Sequence, residues 1–350
     1  MRKLIHIGHP KNFSTSIQRG FFGAHKDLYH LGIGSDKKIG YKDELCSALF
    51  EVYLKSAKWL KFEEEFKRLK THIGNHIENA KKTRKKCLTV SSEHISFGFI
   101  HESIDFKTKI DRIINLFGKK NLHFVMIIRD QGELIRSLYR ESVRVGFSGT
   151  FREYIYNMYK FQDRNCVYDF RYDLLYEYML KVLPEANIHV LFFEEFRNSS
   201  GELIKNNGKI KLLENLSNIA KVEYYEVSFN HHNRSLTEEE INLKSVLNKY
   251  NRHDLGRDLL NTAEIHRQEN YFKTELGIKE KESEVYKDVI LKRKIISKVQ
   301  KQCLGNNTTI NYSCDPDIKD WFDQFYSLGN DKLKSLLKKN IPDNYFHINL

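Results

Sequence analysis

A short segment near the N-terminus combines one lysine with three consecutive hydroxyl side chains. After Ile7-Gly8-His9-Pro10 come Lys11, Asn12, Phe13, Ser14, Thr15 and Ser16. The first turn of a helix presents backbone N–H groups and partial positive charge, so it suits a bound phosphate. Lys11 adds a cation, and the three hydroxyls add hydrogen-bond donors. These residue types in this order predict an oxyanion-binding loop.

This loop differs from the G-x-x-x-x-G-K-S/T loop that binds nucleoside triphosphates. Lys11 precedes the first hydroxyl by three residues, whereas the triphosphate loop places its lysine directly before the hydroxyl. For this segment alone, an ordinary capped helix beside a surface lysine remains the alternative.

A second candidate anion site is formed by Arg129 and Ser137. Arg129 directly follows the apolar run Leu122–Ile128, and Ser137 lies eight residues later in a segment of helical periodicity. Ligands of open parallel sheets bind at the carboxyl ends of strands, and the guanidinium fork can donate two hydrogen bonds to one phosphate. An Arg–carboxylate ion pair with an incidental helix serine is the alternative. Two anion sites in one chain, each at a predicted strand end, favour a doubly phosphorylated ligand.

Apolar strands that alternate with helical segments must position these residues. The strands are predicted at Leu4–Gly8, Cys87–Ser91, Leu122–Ile128 and Ile188–Phe193. Helices are predicted at Ile17–Phe22 with Ser14-Thr15-Ser16 as caps, at 41–84, Asp111–Phe117, Gln131–Val145, 236–250, 254–275, 280–303 and 315–339. The pattern predicts an α/β fold, a P-loop-like parallel sheet flanked by helices with a helical C-terminal portion. We expect one domain over 1–350, with a nucleotide-binding core at 4–236 and a mostly helical portion at 237–350.

Composition limits the class of partner and the compartment. The net charge of +12 favours anionic partners such as nucleotide phosphates or acidic glycans. Five scattered cysteines without C-x-x-C spacing indicate reduced thiols. The N-terminus lacks an apolar signal region, and no stretch is long enough for a membrane span, so we expect a cytoplasmic protein.

Taken together, these motifs resemble those of the sulfotransferases that use 3′-phosphoadenosine-5′-phosphosulfate (PAPS). Pro10-Lys11-Asn12-Phe13-Ser14-Thr15 is similar to the family's Pro-Lys-x-Gly-Thr-Thr loop, except that Phe13 stands where glycine is usual. Arg129 and Ser137 have the family's spacing for the 3′-phosphate site, and Tyr139 fits the usual Ser-x-Tyr. Ile188–Glu195 resembles a later strand of the family, and Asn233–Leu236 and Ser327–Asn330 resemble segments of bacterial members.

The resemblance implies a donor, a product and residue roles. PAPS would be the donor and adenosine 3′,5′-bisphosphate (PAP) the product. Lys11 would neutralise charge on the departing phosphate oxygen, with residues 11–16 around the 5′-phosphate and Arg129 and Ser137 on the 3′-phosphate. The catalytic base would be Glu93 or His94, which follow a predicted strand. Ser91 or Ser92 with a nearby carboxylate could instead make this segment a helix cap, and His9 and His30 are further candidates for the base.

The partners follow from the same resemblance, and two other functions stay open. We expect the acceptor to be a hydroxyl group, best supplied by a glycan or glycoconjugate. We expect no nucleic-acid partner and no membrane span, and peripheral contact with a membrane stays open. The charged helices after residue 236 and the aromatic stretch Tyr154–Phe161 are candidates for the acceptor cleft. Without an H-E-x-x-H motif or a cysteine cluster, we expect no metal site. The alternatives are a P-loop-type small-molecule kinase and a non-enzymatic binder of an acidic polymer.

Overall fold

The structure is a computed structural model, and it describes most of the chain outside residues 249–309. The described residues are 1–32, 42–49, 53–55, 62–97, 104–144, 146–198, 202–227 and 310–346, with Glu238, Ile241, Asn242, Ser245 and Asn248. The predicted helices at 254–275 and 280–303, most of that at 236–250, and the segment Asn233–Leu236 lie outside these residues. By their contacts the described residues form two compact units.

The first unit contains a parallel sheet of five strands, in the spatial order β2-β3-β1-β4-β5. The strands are β1 Arg2–Ile7, β2 Leu28–His30, β3 Cys87–Ser92, β4 Leu122–Ile128 and β5 Ile188–Phe192. Every residue of β3 is buried, and the central strand β1 is buried from Lys3 onward. Continuous apolar runs are typical of parallel strands covered on both faces. The α/β prediction is therefore confirmed for the described residues.

Helices separate the strands along the chain and follow the last of them. In the described residues these are α1 Ser14–Ser16, α2 Glu44–Ala48, α3 Phe62–Lys82, α4 Phe106–Phe117, α5 Gln131–Arg144, α6 Phe151–Lys160, α7 Tyr172–Val182, α8 Lys211–Ala220 and α9 Pro316–Leu337. Within the predicted helix over 41–84 the structure has α2 and α3, and Leu54 and Lys55 between them form a turn. None of the described helices combines the length and apolar character needed to cross a membrane.

Strand order determines where a ligand can lie. The chain leaves β1 towards β2 on one side of the sheet, whereas it leaves β4 towards β5 on the other side. Adjacent strands whose connections diverge in this way form a crevice at their carboxyl ends, which is where ligands of open α/β sheets bind. The loop of Lys11 follows β1 and Arg129 follows β4, so these two residues border one crevice.

The second unit contains α6 and the later part of α5. Its described core is aromatic: the ring of Tyr139 contacts Phe151, Tyr154 and Tyr312 at centroid distances of 5.3–6.5 Å. The amide of Asn248 donates to the carbonyls of Val143 and Phe147. Our single-domain boundaries stay a prediction.

Candidate functional site

Gly8 directly follows β1 and lies between the start of α1 and the segment after β3. Its amide donates to the Ser92 carbonyl at 3.2 Å, and its carbonyl accepts from the Ser96 hydroxyl at 3.0 Å. A Cβ at this position would lie 2.9 Å from Ser14 Oγ and 3.1 Å from Glu93 Cγ. A side chain at position 8 would therefore press on Ser14 and Glu93, and the Ser14 hydroxyl would have to move.

The loop then passes through two left-handed backbone positions, Lys11 (φ 67°) and Phe13 (φ 61°, ψ 8°). Alternation of left-handed and right-handed residues turns successive N–H groups towards one point, and such a concavity binds anions. Glycine adopts such a positive φ without steric cost. Phe13 carries about 1–2 kcal/mol of strain instead.

The helix begins at Ser14, three residues before the predicted start at Ile17. Ser14-Thr15-Ser16 form α1 itself, Phe13 is its N-cap, and no side chain caps it, so the cap prediction for these hydroxyls is wrong. The helical run continues as a wider π-helix over Ile17–Phe22. The hydroxyls therefore lie on the first turn, beside the backbone N–H groups that have no partner within the helix.

The hydroxyls and the amide of this loop have different environments. Ser14 is buried, and its hydroxyl donates to the His9 carbonyl at 3.1 Å. Asn12 is buried, and its amide donates to the Ile127 carbonyl of β4 at 2.9 Å. Both side chains hold the loop in shape, whereas Lys11, Thr15 and Ser16 are half-buried and can reach a ligand.

Glu93 and His94 follow β3 as predicted, in the short 3₁₀ turn Glu93–Ile95. Ser92 caps this turn by accepting from the His94 amide at 3.2 Å, so the serine cap that we considered is present. The Glu93 side chain is half-buried and lies against Gly8, whereas His94 is buried. Of the two candidate bases, Glu93 is the one that borders the loop and keeps solvent contact.

The two histidine alternatives are both buried. Burial lowers the pKa of His9 to about 4, and its ring packs edge-on against Tyr172 at 5.0 Å. His30 hydrogen-bonds Thr89 at 2.9 Å and stacks on Phe22. Neither ring is exposed to an acceptor in this structure.

Arg129 lies where β4 ends, and it contacts the loop directly. Its Nη1 donates to the Lys11 carbonyl at 3.3 Å, its Nη2 lies 3.4 Å from Glu133 Oε2, and its guanidinium lies 4.8 Å from the centre of the Phe193 ring. The ion pair with Glu133 is the alternative that we weighed, and it is present. The ion pair is long and its Glu133 side chain is exposed, so it contributes little to stability. A bound anion could therefore replace Glu133 as the partner of Arg129.

A second guanidinium beside Arg129 was not identified from the sequence. Arg197 lies over the Phe13 ring at 4.2 Å and over Phe193 at 5.2 Å, and the two rings contact each other at 4.7 Å. The proximity of Arg129 adds to burial in lowering the pKa of Arg197. The two guanidinium groups pack on the same pair of aromatic rings, and this concentration of positive charge favours an anionic ligand.

Two carboxyls, the buried Asp130 and the half-buried Glu194, accept backbone hydrogen bonds at the end of β4. Asp130 Oδ1 accepts from the Glu133 amide at 2.8 Å as the cap of α5, and the Asp130 amide donates to Glu194 Oε1 at 2.9 Å. Tyr345 donates to Glu194 Oε2 at 2.9 Å, and Tyr172 donates to the Arg129 carbonyl at 2.9 Å. Burial raises the pKa of Asp130 to about 7, and the nearby Glu194 adds to this rise. These hydrogen bonds fix the backbone of Arg129 and Asp130 and so help to orient the Arg129 side chain.

The C-terminal segment Ser327–Asn330 contributes to the same network. The side-chain amides of Asn330 and Gln131 pair reciprocally at 3.0 Å, and Asn330 also donates to the Tyr345 carbonyl. A Cβ on Gly329 would lie 2.5 Å from Arg171 Nε, in the ion pair between Arg171 and the buried Asp173. These contacts explain why the segment has a glycine followed by an asparagine.

Ser137 lies on α5, half-buried, and belongs to the second unit. Its part in a phosphate site stays a prediction.

Comparisons with known proteins give little beyond this geometry. No protein-family model matches the chain, and no curated protein matches it. Among solved structures, a sulfotransferase from Alicyclobacillus acidocaldarius is similar to this chain with a TM-score of 0.49 and 11% sequence identity, over 97% of each chain. That likeness is too weak to carry any residue role or activity.

Proposed function

We propose that this chain is a PAPS-dependent sulfotransferase that moves a sulfuryl group to a hydroxyl acceptor and releases PAP. The observation that carries the proposal is the contact between Arg129 and the Lys11 carbonyl at the diverging pair β1 and β4. One nucleotide can reach both groups only if they border the same crevice. The order of the two motifs along the chain supports the same conclusion.

In the proposed donor site, the residues after β1 and the residue after β4 bind different phosphates. Lys11, Thr15 and Ser16, with the loop amides, hold the 5′-phosphate side, while Asn12, Phe13 and Ser14 shape the loop. Arg129 holds the 3′-phosphate, and the sequence assigns Ser137 to the same phosphate. Arg197, stacked on Phe13, adds positive charge to this region. Each charge-assisted hydrogen bond of this kind contributes about 1.5–3 kcal/mol.

The transfer itself depends on positioning and on charge. A bond forms between the acceptor oxygen and sulfur while the bond from sulfur to the 5′-phosphate oxygen breaks, with the two oxygens in line. The Lys11 ammonium stabilises the negative charge that develops on the departing phosphate oxygen. Glu93, beside Gly8, accepts the proton of the acceptor hydroxyl.

The acceptor class is proposed from charge and surface chemistry. The net charge of +12 suits an anionic glycan or glycoconjugate better than a neutral metabolite. Tyr156 and Phe161, at 48% and 44% exposure, present rings on which a sugar face can stack. We place the reaction in the cytoplasm and expect neither nucleic acid nor a resident catalytic metal to take part.

The test is calorimetric titration of PAP into the wild type, Lys11→Ala and, as a matched control, Lys120→Ala, which removes an exposed lysine. We expect binding by the wild type and the control, and a loss of about 10-fold or more in Lys11→Ala. Absence of binding by the wild type would refute the proposal. Equal losses in both variants, with steep salt dependence, would favour the acidic-polymer binder.

Turnover separates the proposal from a kinase and locates the base. With a sulfur-labelled donor and cell-envelope extracts as acceptors, transfer should proceed without added Mg²⁺, which a P-loop kinase requires. Glu93→Gln should keep PAP affinity and lose transfer. Full transfer by Glu93→Gln would assign the base elsewhere, to His94 first.

A further inference from the structure

Four potential metal ligands meet at the edge of the sheet that carries β2. Asp43 is the N-cap of α2 and Cys46 lies within α2, while His72 and His76 are one turn apart on α3. One ligand atom from each of these side chains lies within 4.8 Å of the other three. Both histidines direct Nε2 to the same point, at 3.0 Å and 2.7 Å from the two oxygens of Asp43.

Hydrogen bonds alone do not account for this convergence. His76 Nε2 lies 2.7 Å from Asp43 Oδ2, 3.0 Å from His72 Nε2 and 3.7 Å from Cys46 Sγ. A ring nitrogen carries at most one hydrogen, so it cannot donate to all three neighbours. A single cation bound by all four groups explains why their donor atoms face one another.

A partner behind His76 supports the same interpretation. The hydroxyl of Tyr29, on β2, lies 2.9 Å from His76 Nδ1. Histidine ligands commonly donate their second ring N–H to such a partner, which fixes the tautomer and orients the other nitrogen towards the metal. Tyr29 therefore holds His76 in the orientation that a metal requires.

We propose that Asp43, Cys46, His72 and His76 form a zinc site. One thiolate, two imidazoles and one carboxylate are ligands that zinc takes in tetrahedral geometry. Bond lengths of about 2.0–2.3 Å place tetrahedral ligand atoms about 3.3–3.6 Å apart. The separations of 2.7 Å and 3.0 Å would therefore expand slightly when a cation binds, and any pair near the 4.8 Å limit would contract. The negative charges of the thiolate and the carboxylate balance the dication, and the Cys46 thiol releases its proton to solvent on binding.

The site has a structural role that is independent of the proposed transfer. Four protein ligands leave no open position for a substrate, as in structural zinc sites. The ion would tie α2 to α3 beside the edge strand β2, which is separated by β3 from the strand that carries the phosphate loop. PAP binding and zinc binding can therefore succeed or fail separately.

The experiment uses the full chain without a polyhistidine tag. We expect about one zinc ion per chain by elemental analysis. After removal of the metal, Co²⁺ should give intense tetrahedral visible bands and a thiolate-to-cobalt charge-transfer band. Less than about one zinc per ten chains, together with no cobalt spectrum, would overturn the proposal.

Variants show whether these residues are the ligands. Asp43→Asn keeps the helix cap, since asparagine caps as well as aspartate, and should lower zinc affinity by about 100-fold or more. Cys46→Ala should abolish the charge-transfer band, whereas Cys87→Ala, which removes another buried thiol, should keep it. Tyr29→Phe should weaken zinc by about 10–100-fold. Retention of full zinc affinity and the cobalt spectrum by Asp43→Asn and Cys46→Ala would place the metal elsewhere.

Discussion

The carboxyl of Asp130 gives the folded state a pH dependence that one substitution removes. Its pKa rises from 3.8 to about 7 because the group is buried and lies near Glu194. Between these values the folded chain keeps a proton that the unfolded chain has released. Because the folded state binds more protons, the free energy of unfolding falls as pH rises, and the loss is complete above about pH 7.

The size of this effect follows from the two pKa values. Each pH unit within the interval costs about 1.4 kcal/mol, so the full span corresponds to about 4 kcal/mol. Between pH 5 and pH 7 the wild type should lose about 2 kcal/mol through this one group, and by pH 8 about 3 kcal/mol. Asp130→Asn cannot ionise, and asparagine still accepts the Glu133 amide as the cap of α5.

Urea unfolding of the wild type and Asp130→Asn at pH 5 and pH 8 measures the difference. We expect the variant to gain about 3 kcal/mol relative to the wild type at the higher pH. The control is Asp105→Asn, which changes the exposed cap of α4 and should leave the pH dependence as it is. Parallel pH profiles for the wild type and Asp130→Asn would refute the reasoning.

Three further substitutions test the packing of the site. Gly8→Ala should weaken PAP binding by about 10-fold in calorimetry, because its Cβ would displace the buried Ser14. The same substitution should lower the free energy of unfolding in urea by about 1–3 kcal/mol. Unchanged affinity and stability would contradict the close approach of Ser14 to position 8. Gly329→Ala should cost about 1–3 kcal/mol in urea unfolding because its Cβ meets the guanidinium of Arg171, and a neutral result would show that the ion pair can move. Phe13→Gly should be about 1 kcal/mol more stable than Phe13→Ala by the same assay, since only alanine keeps the strain of a positive φ; equal stability would remove the strain argument.

The strands could be predicted because their signal is local. Leu122–Ile128 was predicted with its observed bounds, and Cys87–Ser91 differed by one residue, since buried parallel strands are continuous apolar runs. The edge strand Leu28–His30 was not predicted, because three residues with a tyrosine and a histidine carry no such pattern. The serine caps were wrong for a different reason. Phe13 occupies the cap in a left-handed conformation that a phenylalanine does not signal.

The candidate site was predictable only where the motif lies on a strand end. Lys11, Glu93 and Arg129 follow β1, β3 and β4 directly, so strand prediction located them. Arg197 was missed because its place depends on the packing of aromatic rings distant in sequence. The four proposed zinc ligands were missed because Cys46 and His76 are 30 residues apart, and only the packing of α2 against α3 brings them together.

The most direct measurement of the central claim is a thermodynamic cycle between Arg129 and the 3′-phosphate. Calorimetry would give the affinities of the wild type and Arg129→Ala for PAP and for adenosine 5′-monophosphate, which lacks that phosphate. We predict that the wild type prefers PAP by about 10- to 100-fold and that Arg129→Ala loses most of this preference while keeping its monophosphate affinity. A preference for PAP that survives unchanged in Arg129→Ala would contradict the assignment of the 3′-phosphate to the end of β4.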